Sequence, residues 1–511
     1  MKVFNILTHY ISLLGIASIM MLSLGSCSEK TNPEEDKPEV EESLTLSVNP
    51  SAVTFEADDE TSRTVNVETN ASEWSHASEI EWIKVSVDSE NPNVLVITAD
   101  ANPEKKSRNG VITIKAVKDQ DEQEAVIKVK QEGKKNEQKP GCVYFEDPVF
   151  KEYILGYFDV DHDGEISEKE ALNIKELDCG SLETSALFSS LRGVEEFKNL
   201  TVLYCEGNLL TSLDLSGLSK LEFIDCNHNK LKSLKIDGCS ALTALHCHFN
   251  EIESLNINTE CPLVKFINCG NNAISSLDVS GMKDLEYLAC ESNKMKDLNV
   301  KGCEKLATLA CHKNELSKLD IEGLSAIYNL MCSKNQIEKL DVSHLAGLVQ
   351  LECDENYLEG TLDLTHNPEL AVLFCNGNRI DDLKLENCPK ITTLDCSETK
   401  ISGIHVSHMT ELKNLNCSVN FLTDGLDVSS NLLLKKLYCS NAHLSVLEVA
   451  SNVELVELIC DDNSLKTLDV SNNLNLEKLH AMGNPLESLF MAEGQSISDL
   501  KLDDVSIIER R

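Results

Sequence analysis

From residue 200 onward the chain repeats itself every 21 or 22 residues in the frame L-x-x-L-x-C-x-x-N-x-L. The frame cysteine recurs at Cys205, Cys226, Cys247, Cys269, Cys290, Cys311, Cys332, Cys353, Cys375, Cys396, Cys417, Cys439 and Cys460, and Ala481 takes the slot once more. A unit this short cannot bury its own apolar side chains, so consecutive units must stack into a continuous core. Within one unit, Ile224 and Cys226 stand two residues apart. In an extended segment they share a face, and an apolar pair repeated in every unit must turn inward. The expectation is a parallel sheet of short strands along one side of a solenoid of about fourteen coils, its strands about 4.8 Å apart.

Three residues after each frame cysteine stands an asparagine, as at Asn208, Asn229, Asn314 and Asn463, with Thr399 and Ala442 as departures. A buried amide must be hydrogen-bonded, and at a chain reversal it can satisfy backbone groups of its own coil and a neighbouring one. A second alternating pair, such as Leu213/Leu215 or Leu468/Val470, predicts another extended segment on the far side, its intervening aspartate exposed. Cys239, Cys261, Cys303 and Cys388 share a further slot with Leu218, Met282 and Leu345, which reads as apolar and buried.

These frames resemble the leucine-rich repeat family, close to its short bacterial, internalin-like classes and to the cysteine-slot repeats of Bacteroides-like surface proteins. The resemblance covers residues 174–511, with Ile174, Leu177 and Cys179 as a degenerate first coil. The chain has twenty cysteines. Parallel strands point neighbouring side chains the same way, which suits a small hydrophobe better than a disulfide torsion, so buried thiols are expected.

Upstream the chain changes character three times. Residues 1–26 read as a signal peptide, with an apolar run from Ile11 to Leu24 followed by Leu24-Gly25-Ser26-Cys27. That ending resembles a bacterial lipobox, which implies lipidation of Cys27, a lipid as the only membrane anchor, and a place on the outer membrane. Residues 27–43 form an acidic, proline-containing tether. Acidic residues soon after such a cysteine resemble the surface-export signal of Bacteroides-type lipoproteins.

Seven short alternating runs across residues 44–133 predict an Ig-like β-sandwich. The segments around Trp74, Glu81-Trp82-Ile83, Arg108–Ile112 and Val129–Gly133 resemble the BACON domain, which implies a carbohydrate-binding role. Trp74 and Trp82 are the candidate sugar platform; the alternative is that they fill the core, as large aromatics usually do. After a linker at 134–145, residues 146–178 form a small helical cap.

Within that cap, residues 159–170 read DVDHDGEISEKE. The pattern resembles an EF-hand loop, which implies calcium held by Asp159, Asp161, Asp163, the Glu165 carbonyl, Ser167 through water, and Glu170. A solvated acidic turn is the alternative. Only one such loop is present, so a structural role is expected.

Outward positions beside the ladder cysteines carry Tyr204, Phe223, Asp225, His246, His248, Phe266 and Tyr287 in the first coils. Exposed aromatics on a curved sheet suggest a partner surface. His246 and His248 with Asp225 could hold zinc, but a solvated histidine pair is the simpler reading.

Eighty-five acidic against 46 basic residues give a net charge of −39, which repels nucleic acid and anionic membrane surfaces. None of the common nucleophile, zincin, P-loop or dinucleotide fingerprints occurs. The expectation is a mostly β, non-enzymatic surface lipoprotein. Its concave face contacts an extracellular protein or glycoprotein; the alternative is glycan capture by the sandwich.

Overall fold

The computed structural model describes residues 43–511, apart from 105, 120, 135–138, 181–186 and 258–260. The expected signal peptide, Cys27 and most of the tether lie outside the described residues. The chain divides into two compact units, one built from residues up to 101 with 109–131, the other from 102–108 and 132–511.

The first unit is a sandwich of eight strands: β1 (Leu46–Asn49), β2 (Ala52–Phe55), β3 (Arg63–Thr69), β4 (Glu73–Ser78), β5 (Ile83–Val87), β6 (Val94–Ala99), β7 (Arg108–Lys118) and β8 (Asp121–Gln131). They form two four-stranded sheets, ordered β1-β3-β6-β5 and β2-β8-β7-β4. Alternation does the folding: Val65, Val67, Leu95, Ile97, Ile112, Ile114, Ile127 and Val129 turn inward and are almost wholly buried. One strand more is present than the seven alternating runs predicted. β4 (EWSHAS) has no fully buried position, because it is a sheet edge, so it carries no hydrophobic signal.

The second unit begins with a cap. Helix α1 (Pro148–Phe158) starts at Asp147, whose carboxylate accepts hydrogen bonds from the Val149 and Phe150 amides. Its other oxygen accepts from the Ser189 amide and hydroxyl at 2.7 and 2.8 Å. Phe150 and Ile154 bury themselves with Phe145, Phe188 and Phe197 against the first coil, so cap and solenoid share one core. A one-turn helix, α2 (Glu168–Ala171), follows the acidic loop.

The solenoid's front sheet contains sixteen parallel strands, from Glu176–Asp178 to Asp499–Lys501. Each has three residues in exact register with its neighbours, as in Val202↔Phe223, Leu203↔Ile224 and Tyr204↔Asp225. The middle residue and the frame cysteine point inward, both completely buried at Ile224 and Cys226. The last strand was not legible as a coil: Leu502 and Val505 replace the frame cysteine and asparagine. The far side carries short parallel pairs, such as Ser212–Asp214 with Ser233–Lys235.

Two ladders fasten the coils. In the asparagine ladder, Asn229 donates to the carbonyls of Cys205 (2.9 Å, previous coil) and Cys226 (3.1 Å), and accepts from the Leu210 amide at 3.1 Å. The pattern recurs from Asn208 to Asn484. At Thr399 a hydroxyl bridges the Cys396 carbonyl and Asn420 instead.

The second ladder corrects the expectation of an apolar slot. The slot is buried, but Asn367, Asn431, Asn452, Asn473 and Gln495 occupy it as well as leucine, methionine and cysteine. Their amides donate to carbonyls of the preceding coil, as Asn452 does to Val428 and Asn431, each at 2.9 Å. The cysteines do the same work more weakly: Sγ of Cys303 lies 3.1 Å from the Val279 carbonyl. The slot needs a side chain that fills space and, where it can, donates backwards.

The described cysteines are all free thiols, and all but Cys142 are buried. Burial pushes the ladder thiols upward, that of Cys311 to about 12, so they are poor nucleophiles.

Candidate functional site

The acidic loop lies between α1 and α2. Gly164 takes a positive φ of 82°, and its amide donates to Asp159 at 3.0 Å. Asp159, Asp161 and Glu170 converge, each offering a carboxylate oxygen within 4.8 Å of the others. Glu170 is fixed by the Val160 amide (2.8 Å) and by the Ser167 amide and hydroxyl (2.9 and 2.8 Å), bonds that hold its carboxyl below the ordinary range. The side chains of the other expected ligands make contacts of their own, while the Glu165 carbonyl itself is not the group engaged. Asp163 pairs with Lys139 at 2.9 Å, Glu165 with Lys151 at 2.6 Å, and Ser167 caps α2. Ile166 is fully buried, and its carbonyl accepts from the Val143 amide at 2.8 Å, so a segment of the linker pairs with the loop. Three converging carboxylates on a fixed turn are hard oxygen donors and fit a divalent cation such as calcium.

On the front sheet, register places Phe223, Phe266 and Tyr287 in one column and Tyr204 and His246 in the next, and their rings interleave into one row. Ring centroids are 5.1 Å apart for Tyr204–Phe223, 5.4 Å for Phe223–His246, 4.8 Å for His246–Phe266 and 4.2 Å for Phe266–Tyr287, the last pair being parallel within 2°. The expectation of exposed aromatics is corrected here. Phe223 and Phe266 are only 5% and 6% exposed, because strands one coil apart let each ring cover the next. The row thus presents ring edges and one outer surface.

The histidines differ from expectation in the same way. His246 is buried and His248 half-buried, not a solvated pair; their rings are 6.4 Å apart. Desolvation drives both down to about 4, so both are neutral at pH 7. Asp225 lies directly between Tyr204 and His246 in register and accepts from the Asn227 side chain at 2.5 Å. Burial, reinforced by Glu206, pushes its carboxyl up to about 7.

Sequence reasoning missed a second aromatic row. His228 stacks on Phe249 at 4.5 Å, and His248 joins both to the first row. Phe249 is 46% exposed and has φ of 52°, a left-handed conformation that a bulky residue adopts at a cost. The signal was available: it follows the frame cysteine by two residues, where glycine, asparagine or a short polar residue often stands.

In the sandwich, Trp74 lies on β4 and Trp82 just before β5, edge strands of opposite sheets. Both are half-buried and packed against the core.

Residues 72–132 match the BACON family, described as "Putative binding domain, N-terminal". β1, β2 and β3 precede the matched segment yet pair within the two sheets. Among solved structures, the chain is similar to the functional domain of InlJ from Listeria monocytogenes, which includes a cysteine ladder: 28% identity, 64% of this chain, 70% of that one, TM-score 0.53. It is similar also to YopM, a leucine-rich effector protein from Yersinia pestis: 27% identity, 64% of this chain, 88% of that one, TM-score 0.52. The C-terminal unit is a leucine-rich repeat solenoid. A comparison with curated proteins found no match.

Proposed function

We propose that this protein is a lipid-anchored, surface-exposed bacterial binding protein whose solenoid front face captures an extracellular protein or glycoprotein. One observation carries the reading: two joined aromatic rows, from Tyr204 to Tyr287 and from His228 to Phe249, form one contiguous strip on the regular sheet. Aromatic side chains held rigid by their neighbours give contact area at little entropic cost, which is how binding hot spots are built. Anchoring through Cys27 would leave the solenoid on an acidic tether.

In this reading the acidic loop holds calcium through Asp159, Asp161 and Glu170, with Asp163, the Glu165 carbonyl and Ser167 available to complete the shell. The cation would stiffen the cap over the first coil and so brace the coils that carry the strip.

Glycan capture by the sandwich is the second reading, favoured by the family description of residues 72–132 as a binding domain. The packing of Trp74 and Trp82 against the core weighs against their use as an open sugar platform.

The test is binding of the full chain to a panel of purified extracellular proteins, glycoproteins and glycans, with calcium and with chelator. A triple variant, Tyr204→Ala, Phe249→Ala and Tyr287→Ala, should abolish protein capture while its circular dichroism stays unchanged. Capture that survives the triple variant sinks the front-face reading. Glycan binding lost on Trp74→Ala or Trp82→Ala would promote the second.

A further inference from the structure

The outward positions of the strip carry carboxylates and no lysine or arginine, although Lys265 precedes Phe266 and Lys313 lies within electrostatic reach of Glu291. Along the front sheet the outward strand positions, together with the residue after each ladder cysteine, carry Glu176, Asp178, Glu206, Asp225, Glu291 and Glu352 among others. In those positions the first lysine or arginine is Lys436. Asp225 is the innermost of the acids. It faces Tyr204 on one side and His246 on the other, with Phe223 two residues away on the same strand. Among the described residues no lysine, arginine or histidine forms an ion pair with it. Its hydrogen bonds come from Asn227.

A carboxylate half-buried among aromatic rings without a countercharge is costly to the free protein. A guanidinium or ammonium placed there would relieve that cost through a charge-assisted bond to the carboxylate. The left-handed, exposed Phe249 adds a rigid apolar shoulder on the same face. One coil on, Nδ1 of His248 is shielded and has no hydrogen-bond partner among the described residues.

We propose that the first five coils bind a cationic, extended segment of the partner protein, with an arginine or lysine side chain seated against Asp225 between Tyr204 and His246. The proposal rests on the front-face reading and adds the chemistry of the occupant. The chain's net charge of −39 would draw such a segment in and repel an acidic one.

The experiment uses the full chain and labelled peptides of roughly ten residues, long enough at about 3.3 Å per residue to cross five strands about 4.8 Å apart. One peptide alternates arginine with valine, a second replaces arginine by uncharged citrulline, and a third by glutamate. The arginine peptide should bind, weakening with salt, while the citrulline and glutamate peptides bind at least about tenfold more weakly. Asp225→Asn should cost about tenfold for the arginine peptide and nothing for citrulline. Asp427→Asn, an exposed site on the far side of the coil, should change neither.

Equal affinity for arginine and citrulline peptides, an Asp225→Asn variant that binds like the parent, or no binding by any peptide would each overturn the cation assignment. The parent reading is judged separately. If the triple aromatic variant still loses its extracellular partner while these peptides show no charge preference, the face binds protein by another chemistry.

Discussion

The front sheet has two ends built on one frame, and they solve the problem of outward charge in opposite ways. In the last coils the outward residues alternate in sign along the column: Lys436 pairs with Glu457 at 2.7 Å, and Lys478 with Asp499 at 3.9 Å. Each strand answers the charge of the one before. In the first coils Asp225 and His246 stand opposite each other in register, and burial holds both toward neutrality. The front ladder keeps one frame toward both ends, with leucine, cysteine and asparagine in corresponding slots of most coils. Repetition therefore fixes the scaffold, and the outward positions are free to be either self-satisfied or left waiting for a partner.

The largest expected effect tests the claim that the interior is shared. Asn229→Ala at one end and Asn463→Ala at the other each remove a shielded amide that bonds two coils, half-buried in the first case and buried in the second, and each should cost about 2–4 kcal/mol, within about 1 kcal/mol of one another. Urea melts of the full chain, following the solenoid transition, would measure it. A large difference between the variants would break the comparison at its base.

Next comes the outward contrast. Asp225→Asn removes a poorly solvated charge and should raise stability at pH 8 by about 1–3 kcal/mol, whereas Glu457→Gln at the other end should lower it by less than about 1 kcal/mol. Loss of stability in Asp225→Asn would show that the carboxylate is a structural member after all.

The pH dependence sharpens the same point. Asp225 in the folded protein titrates near 7, above the ordinary value of 3.8. The folded state therefore holds its proton more tightly, and this group's contribution declines as pH rises from about 4 to 7. His246 and His248 titrate near 4, below the ordinary 6.5. Their contribution is complete above 6.5 and is lost as pH falls from 6.5 toward 4. The two slopes oppose one another across one window. Asp225→Asn should leave a protein whose stability climbs steeply from pH 4 to 6.5; replacing both histidines by phenylalanine should leave one whose stability declines toward pH 7. Parallel profiles for the two variants would contradict the electrostatic account.

The smallest expected effect lies between the ends. Thr399→Asn should add a donor toward the Cys375 carbonyl and stabilise by about 0.5–1 kcal/mol, visible as a small rise in thermal midpoint.

Why the two ends differ in legibility follows from the same division. Periodicity revealed the inward slots, because an apolar residue repeated every 21 or 22 positions admits few explanations. It could not reveal how outward rings would cover one another, since that depends on strand spacing and side-chain direction across coils. Phe223 and Phe266 therefore read as exposed and are buried. The second ladder was misread for a related reason: leucine and methionine in the slot hid the fact that asparagine at 367, 431, 452 and 473 donates to the coil before. In the acidic loop, residue type identified Asp159, Asp161 and Glu170, but the lysines that engage Asp163 and Glu165 came from outside the loop.

The asparagine ladder has a direction. Every amide reaches back to the coil that precedes it, and none of these side chains reaches forward. A coil leaving the ribosome or a secretion channel carries its own fastener and finds the anchorage already in place. Shortening the solenoid from its far end leaves every remaining amide side chain bonded, whereas removing early coils takes from the first amide that is left its bonds to the preceding coil. Growth in nature and truncation in the laboratory should both be tolerated at the tail and resisted at the head, which makes the cap over the first coil the one end that cannot be dispensed with.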